Sequence, residues 1–254
     1  MRFIFLLAFL YLSFTKTEFK KPIINFKKNT IIQRFPCPKD YVKKENDSTS
    51  FSYFLQHLKL KDSAAKVKYF DGSFKNPDGI YVSVIDKPIN NKDLHQCADA
   101  LIRLRAEYFY QNKKYKNIRF LFNGDKKYHA YTEYNQGDYS IAKFYSYLDY
   151  IYSYANTASL KKQLKPKPYY LLDIGDVLIQ SKNPYGHAVM VVDVCKNNKG
   201  EKKYILAQSY MPAQEIQILL NENKDDVWFS MEKRNEIYTP EWTFDTTDLR
   251  TWEE

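Results

Sequence analysis

Two residues in this sequence have the chemistry of a nucleophile and its base, Cys97 and His187. A cysteine thiolate attacks carbonyl carbon, and a nearby imidazole can take the thiol proton. Apolar residues at helical spacing place Cys97 near the start of a helix predicted over residues 94–110, where the positive helix end would lower the thiol pKa. His187 follows the turn at residues 183–186 and opens an apolar strand. A single cysteine on an apolar helix face is also common as a small buried hydrophobe.

The other two cysteines are poorer partners for His187. Cys195 lies on the same face of the predicted strand, but eight residues further along, which is roughly 26 Å at ~3.3 Å per residue. Cys37 lies between two prolines in a Lys-rich segment. Cys97 therefore remains as the candidate nucleophile. Because the chain has 3 cysteines, at most one disulfide can form within it, and at least one thiol stays free.

A catalytic imidazole needs a third residue that orients its ring. If the strand of His187 turns back about residues 198–199, residue 189 lies opposite residue 208. Gln208 would then lie on the same face as His187, on the diagonal at ~7–8 Å between Cα atoms, within reach of a long amide side chain. A register shifted by one would bring Ser209 there instead. The predicted catalytic residues are Cys97, His187 and Gln208, with Ser209 as the alternative third residue.

The elements that would position these residues are helices in the first half of the chain and antiparallel strands in the second. This order predicts an α+β fold. The predicted helices cover residues 94–110 (capped by Asn91 or Asp93), 139–155 and 157–164, and the predicted strands cover residues 177–179, 188–194 and 204–207. Residues 67–70 and 80–85 are predicted to pair as a hairpin across a Gly-containing loop.

Composition limits the classes of function. With 254 residues and 44% hydrophobic content, the chain can bury one sizeable core. The net charge is +9, but the lysines are scattered and no nucleic-acid motif occurs, so we expect no nucleic-acid partner. No phosphate loop, dinucleotide fingerprint or paired-cysteine metal motif occurs, and we expect no cofactor. A zinc hydrolase using His187 is a further alternative; His95, Cys97 and Asp99 are ligand types, although helix positions i and i+2 point apart.

The N-terminus predicts export. Arg2 precedes the apolar run Phe3–Phe14, which is too short for a membrane span of ~20 residues but suits a secretory signal. We expect a signal peptide or short anchor over residues 1–17, a flexible arm over residues 18–49, and a single domain over residues 50–254. The expected location is the periplasm, the cell envelope or the medium, and the basic charge is compatible with peripheral contact to membrane or envelope.

Four segments carry a resemblance to known families: QCADALIRLRAEY, GDVLIQ…GHAVMVVDV, LAQSYMPAQEI and TPEWTF. They resemble a family of exported bacterial proteins, domain of unknown function 4846, over about residues 50–250. The order of a cysteine at a helix start, Gly-Asp, Gly-His at a strand start and a polar residue on the next strand is more distantly similar to papain-like cell-wall peptidases and amidases of the NlpC type. Ala98-Asp99 follows the cysteine, where those peptidases usually have Ser-Gly.

This resemblance implies a papain-like α+β fold in which Cys97 is the nucleophile, His187 the base and Gln208 the residue that orients the ring. The expected function is therefore thiol hydrolysis of an amide bond, with cell-wall peptide as the expected substrate class. The alternative, from another class, is a non-catalytic binding or envelope-structural protein that keeps the same scaffold.

Overall fold

The computed structural model describes residues 24–76, 79–231 and 235–253, so the predicted signal over residues 1–17 lies outside the described residues. The helices are α1 (Ile31–Arg34), α2 (Phe51–Gln56), α3 (Cys97–Gln111), α4 (Tyr131–Tyr134), α5 (Ile141–Tyr154) and α6 (Thr157–Gln163). The strands are β1 (Tyr41–Lys43), β2 (Tyr81–Val84), β3 (Arg119–Leu121), β4 (Tyr128–Ala130), β5 (Lys165–Pro166), β6 (Val177–Ser181), β7 (Gly186–Asn197), β8 (Lys202–Gln208), β9 (Gln217–Leu219), β10 (Phe229–Ser230), β11 (Glu236–Tyr238), β12 (Thr243–Asp245) and β13 (Leu249–Thr251). Within the described ranges, no helix combines the length and the apolarity that crossing a bilayer requires.

A large antiparallel sheet forms the centre of the fold. Its strands are hydrogen-bonded in the order β2-β9-β8-β7-β6-β13-β5, while β1 also pairs with β7 and β10 with β8. The hairpins β3–β4 and β11–β12 lie outside this sheet. The combination of helices with a mostly antiparallel sheet confirms the α+β prediction.

Strand β7 is the centre of the core. Its residues from His187 to Cys195 are all buried, and because successive side chains of a strand point to opposite faces, both faces of β7 must be covered. Helices α2, α3 and α6 pack against it. The strands predicted from the apolar runs around it correspond to β6, β7 and β8.

The pairing of β7 with β8 has the predicted register at the end nearest His187. Met190 lies opposite Ala207, which continues the predicted pairing of residue 189 with residue 208. A bulge further along the strand shifts the register by one, so that Asp193 lies opposite Ile205. Gln208 is the last residue of β8, on the side of the sheet where β7 begins.

The prediction of a flexible arm is wrong for its described part, residues 24–49. Ile31 and Phe35 are 0% and 1% exposed, and β1 pairs with β7 through Lys43 and Cys195. The segment is rich in lysine, but its few apolar side chains enter the core while most of the lysines remain at the surface. The lysine-rich composition of this segment therefore does not indicate how extensively it packs against the core.

The predicted hairpin between residues 67–70 and 80–85 is also wrong. The second segment contains β2, but β2 pairs with β9, which lies much further along the chain. The first segment makes only isolated bridges, one of them between Tyr69 and Gln214. Turn signals in the sequence identify a reversal, but they do not identify which strand lies beside it.

Candidate active site

Cys97 is the first residue of α3, three residues after the predicted start at residue 94. The helix begins here because Oδ2 of Asp99 accepts a hydrogen bond from the backbone N–H of Gln96 at 3.0 Å, which satisfies a free donor at the helix end. Asp93, a predicted cap, instead accepts a hydrogen bond from the backbone N–H of Ala213 at 2.7 Å. The side chain of Cys97 thus lies in the first turn of the helix, and the residue is 8% exposed.

Backbone N–H groups converge on the Cys97 sulfur. They belong to Cys97 itself, to Ala98 and to Ala188, the residue that follows His187 on β7. The start of α3 and the start of β7 therefore meet, as the packing of this helix on this strand requires. The structure brings Cys97 next to the segment that carries His187, although the two are far apart in the sequence.

His187 is held by Gln208. Its Nε2 lies 2.8 Å from Oε1 of Gln208, and the two residues are 1% and 0% exposed. The orientation of the amide is fixed from its other side, because Gln208 Nε2 donates to Oε2 of Glu241 at 2.6 Å. An amide oxygen only accepts, so the proton is on Nε2 of His187 and the lone pair is on Nδ1. A neutral imidazole with a free lone pair is the form in which histidine acts as a general base.

The hydrogen-bond chain continues from Gln208 to an ion pair whose lysine is buried and whose carboxylate is partly exposed. Nζ of Lys75 lies 2.6 Å from Oε2 of Glu241 and 3.0 Å from Oε1 of Gln214. Burial lowers the pKa of Lys75 below its ordinary value, and the neighbouring carboxylate of Glu241 offsets only part of this effect. Each link from His187 to Lys75 is a formed hydrogen bond, and such a connected network restricts the ring to one orientation.

Aromatic side chains cover the imidazole. The ring centroid of His187 lies 4.7 Å from that of Tyr210, 5.5 Å from that of Trp242 and 5.8 Å from that of Phe244. Nε1 of Trp242 donates to Oε1 of Gln180 at 3.0 Å, and Gln180 lies directly opposite His187 in the pairing of β6 with β7. The cover is therefore attached to the same pair of strands that presents the histidine.

Burial determines the protonation states of Cys97 and His187. Desolvation raises the pKa of the Cys97 thiol to about 12, with a further contribution from the charge of Asp99, and outweighs the N–H groups that favour the thiolate. Desolvation also lowers the pKa of His187 to about 4, and the charge of Lys75 acts in the same direction. At neutral pH both groups are therefore uncharged in this closed conformation. The expectation that the helix end lowers the thiol pKa is wrong here, because loss of water outweighs it.

No hydrogen bond joins the Cys97 sulfur to the His187 ring in the described part of the chain. The sulfur interacts with backbone N–H groups, and the ring nitrogen Nε2 interacts with Gln208. The alternative third residue, Ser209, is oriented differently: its hydroxyl lies 3.1 Å and 2.7 Å from the backbone oxygens of His95 and Gln214. Of the two candidates for orienting the ring, the structure places Gln208 against His187.

Gly186 allows the chain to turn into His187. A Cβ at this position would lie 2.5 Å from the backbone oxygen of Gln180 and 2.5 Å from Oγ1 of Thr157, both shorter than any ordinary contact. Glycine is therefore required at position 186, because neighbouring atoms lie too close to the backbone to leave room for a side chain. The first residue of α6 is consequently in contact with the turn that delivers the histidine to the site.

Sequence reasoning missed Lys75, Glu241 and Trp242. They come from two places in the chain, residue 75 and residues 241–242, that no spacing rule connects to His187, and each reaches it only through the folded sheet. The one available signal was the segment TPEWTF, in which a carboxylate lies between aromatic and proline residues. For the zinc alternative, no group of three or more His, Cys, Asp or Glu residues in the described ranges is arranged to hold a metal ion.

The fold and the site together define an α+β protein with a buried cysteine, histidine and glutamine at the junction of one helix and one sheet. Residues 31–251 match the family model described as domain of unknown function (4846), and the chain belongs to this family. The matched range includes the whole hydrogen-bond chain from Lys75 to Glu241. Neither a curated protein nor a solved structure matches the chain.

Proposed function

We propose that this protein is a papain-like thiol hydrolase that cleaves an amide bond, with bacterial cell-wall peptide as the substrate class. The observation that supports this most strongly is the hydrogen bond between His187 Nε2 and Gln208 Oε1, which leaves the lone pair on Nδ1. The same strand start brings the backbone of Ala188 to the Cys97 sulfur. A nucleophile, a base in its reactive tautomer and an orienting residue thus share one corner of the fold.

In the proposed reaction, Cys97 attacks the amide carbonyl while Nδ1 of His187 takes the thiol proton, forming the S–C bond. The oxyanion of the intermediate is stabilised by backbone N–H groups at the start of α3, including that of Cys97. The C–N bond then breaks, and His187 gives its proton to the leaving amine. Water hydrolyses the thioester, releasing a carboxylic acid and the free thiol. Gln208 keeps the ring in the tautomer that these steps require.

Catalysis on this scaffold needs an open state. A substrate carbonyl must touch the Cys97 sulfur, and the residue is 8% exposed while His187 is 1% exposed. Tyr210 and Trp242 are the side chains that must move, because they pack directly on the imidazole. Movement of this cover would also admit water, which removes the desolvation that keeps the thiol protonated.

The test is hydrolysis of defined substrates by the full chain. Soluble muropeptides from bacterial peptidoglycan are incubated with the protein, and mass spectrometry detects new amine and carboxylate ends. We expect Cys97→Ala to abolish cleavage and His187→Gln to reduce it by roughly 10²–10⁴-fold, the usual contribution of general acid–base catalysis. Cys37→Ser is the matched control and should retain the wild-type rate. Cleavage that survives Cys97→Ala would disprove this assignment.

A second candidate function is supported by the same burial. A thiol with a pKa of about 12 and an imidazole with a pKa of about 4 are what a non-catalytic binding or envelope-structural protein would retain as a satisfied core. Such a protein would bind muropeptides without cleaving them, and Cys97→Ala would leave the binding constant unchanged. Equilibrium binding of the same muropeptides to the wild type and to this variant separates the two functions.

A further inference from the structure

The two cysteines outside the candidate active site, Cys37 and Cys195, lie against each other. Their thiol groups are within hydrogen-bond contact, and both are free thiols in this structure. Cys195 is 0% exposed within β7, whereas Cys37 is partly accessible. They come from segments that are distant in the sequence, so the contact is a product of the fold.

The neighbours of the pair hold it in place from both sides. Lys43 of β1 lies directly opposite Cys195 in the sheet, which fixes the chain shortly after Cys37. The backbone oxygen of Pro36 accepts a hydrogen bond from Nε1 of Trp228 at 3.0 Å, which fixes the chain immediately before Cys37. The Cys37 side chain also packs against the main hydrophobic core. The loop cannot carry its thiol away from Cys195 without breaking these contacts.

We propose that Cys37 and Cys195 form an intrachain disulfide bond under oxidising conditions, and that this bond ties the N-terminal segment to the central strand of the sheet. In the first step, the Cys37 thiolate attacks one sulfur of a small-molecule disulfide and releases one small thiol. In the second step, Cys195 loses its proton and attacks the sulfur of Cys37, which releases the second small thiol. Two protein thiols are oxidised and one small-molecule disulfide is reduced to two thiols.

The surroundings of the two thiols determine that Cys37 reacts first and Cys195 second. Cys37 is the accessible thiol, and the hydrogen bond from Cys195 together with the charge of Lys43 lowers its pKa. Burial raises the pKa of the Cys195 thiol, so that group reacts second, as the resolving thiol. The bond would close a loop of about 160 residues, and long loops give large stabilisation when the unfolded chain is constrained. The proposal is independent of the hydrolase assignment, since Cys97 takes no part.

The experiment uses the full chain, equilibrated separately with oxidised glutathione and with dithiothreitol. Free thiols are alkylated, the protein is digested without reduction, and the cross-linked peptides are identified by mass spectrometry. We expect the oxidised chain to be two hydrogens lighter, with Cys37 joined to Cys195 and Cys97 alkylated. Its melting temperature should exceed that of the reduced chain by roughly 5–15 °C.

Two variants make the result decisive. Cys37→Ser should remove both the cross-link and the difference in melting temperature between oxidised and reduced samples, and it leaves the buried strand residue intact so that folding is preserved. Cys97→Ser should retain both. A chain that carries only glutathione on Cys37 after prolonged oxidation would overturn the proposal, as would a disulfide that includes Cys97 or one that leaves the melting temperature unchanged.

Discussion

The hydrogen bond between His187 and Gln208 leads to a quantitative prediction for the substitution Gln208→Leu. The wild-type amide accepts from His187 Nε2 at 2.8 Å and donates to Glu241 at 2.6 Å. Leucine has a similar volume but makes neither bond. A buried N–H left without an acceptor costs about 1–3 kcal/mol, and a hydrogen bond to a charged group contributes about 1.5–3 kcal/mol. Because Glu241 keeps Lys75 as a partner, we expect a loss of about 2–4 kcal/mol in the free energy of unfolding.

Gln217 supplies a matched control on the neighbouring strand. It lies directly opposite Gln208 in the pairing of β8 with β9 and is equally buried, at 0% exposed. Its Oε1 has no hydrogen-bond partner in the described residues, and its Nε2 donates to Gln214 at 3.2 Å. Removing a carbonyl that is already unsatisfied recovers part of what the substitution loses. Gln217→Leu should therefore change the free energy of unfolding by less than about 1 kcal/mol.

Urea denaturation at pH 7 measures both variants, and nitrogen NMR of the imidazole measures the tautomer. The wild type should show the proton of His187 on Nε2 only. If the two leucine variants lose the same free energy within about 0.5 kcal/mol, or if the wild-type proton is found on Nδ1, the reasoning about this network is refuted.

Three further predictions concern the surroundings of the site. The pKa of His187 is lowered to about 4 from 6.5, so the folded state binds fewer protons than the unfolded state. The contribution of this residue to the free energy of unfolding is therefore lost as the pH falls below 6.5. Urea denaturation should show about 2 kcal/mol less stability at pH 5 than at pH 7 from this residue, and the difference should be absent in His187→Gln. The pKa of Asp99 is raised to about 8, so the folded state binds more protons than the unfolded state, and the contribution of this residue to the free energy of unfolding is lost as the pH rises toward 8. Relative to Asp99→Asn, the wild type should lose stability between pH 5 and pH 8 in urea denaturation. Equal pH profiles of the two proteins would contradict this. Gly186→Ala places a Cβ 2.5 Å from two oxygens and should lower the free energy of unfolding by about 1–3 kcal/mol in urea denaturation. The control Gly124→Ala, with no neighbour within 4 Å, should change it little. Equal effects of the two substitutions would refute the packing argument.

The parts of the fold that follow local rules could be predicted from the sequence. Apolar runs located β6, β7 and β8. Helix α2 also begins by a local rule, because the hydroxyl of Ser50 accepts a hydrogen bond from the backbone N–H of Tyr53 at 3.1 Å. The register near His187 also followed from the turn, because hairpin pairing is set by loop length. These features depend on residues that are close together in the chain.

The parts that depend on distant contacts could not be predicted. The pairing of β2 with β9 and the packing of residues 24–49 on β7 are decided by the assembled sheet. The same is true of the thiol pKa: a helix end favours a thiolate, but the degree of burial that outweighs it depends on the side chains packed around Cys97. The ion pair behind Gln208 joins residues 75 and 241, and nothing in either segment points to the other.

The hypothesis that Cys97 and His187 act as a nucleophile and its base is tested by the rate of Cys97 alkylation as a function of pH. In the closed state alone, a pKa of about 12 leaves a thiolate fraction on the order of 10⁻⁵ at pH 7. An open state in which His187 takes the thiol proton should make Cys97 react with iodoacetamide at pH 6–7 far faster than Cys195. His187→Ala should abolish this selectivity. A Cys97 rate that rises only above pH 9, equally in the wild type and in His187→Ala, would contradict the claim and assign the cysteine to the core.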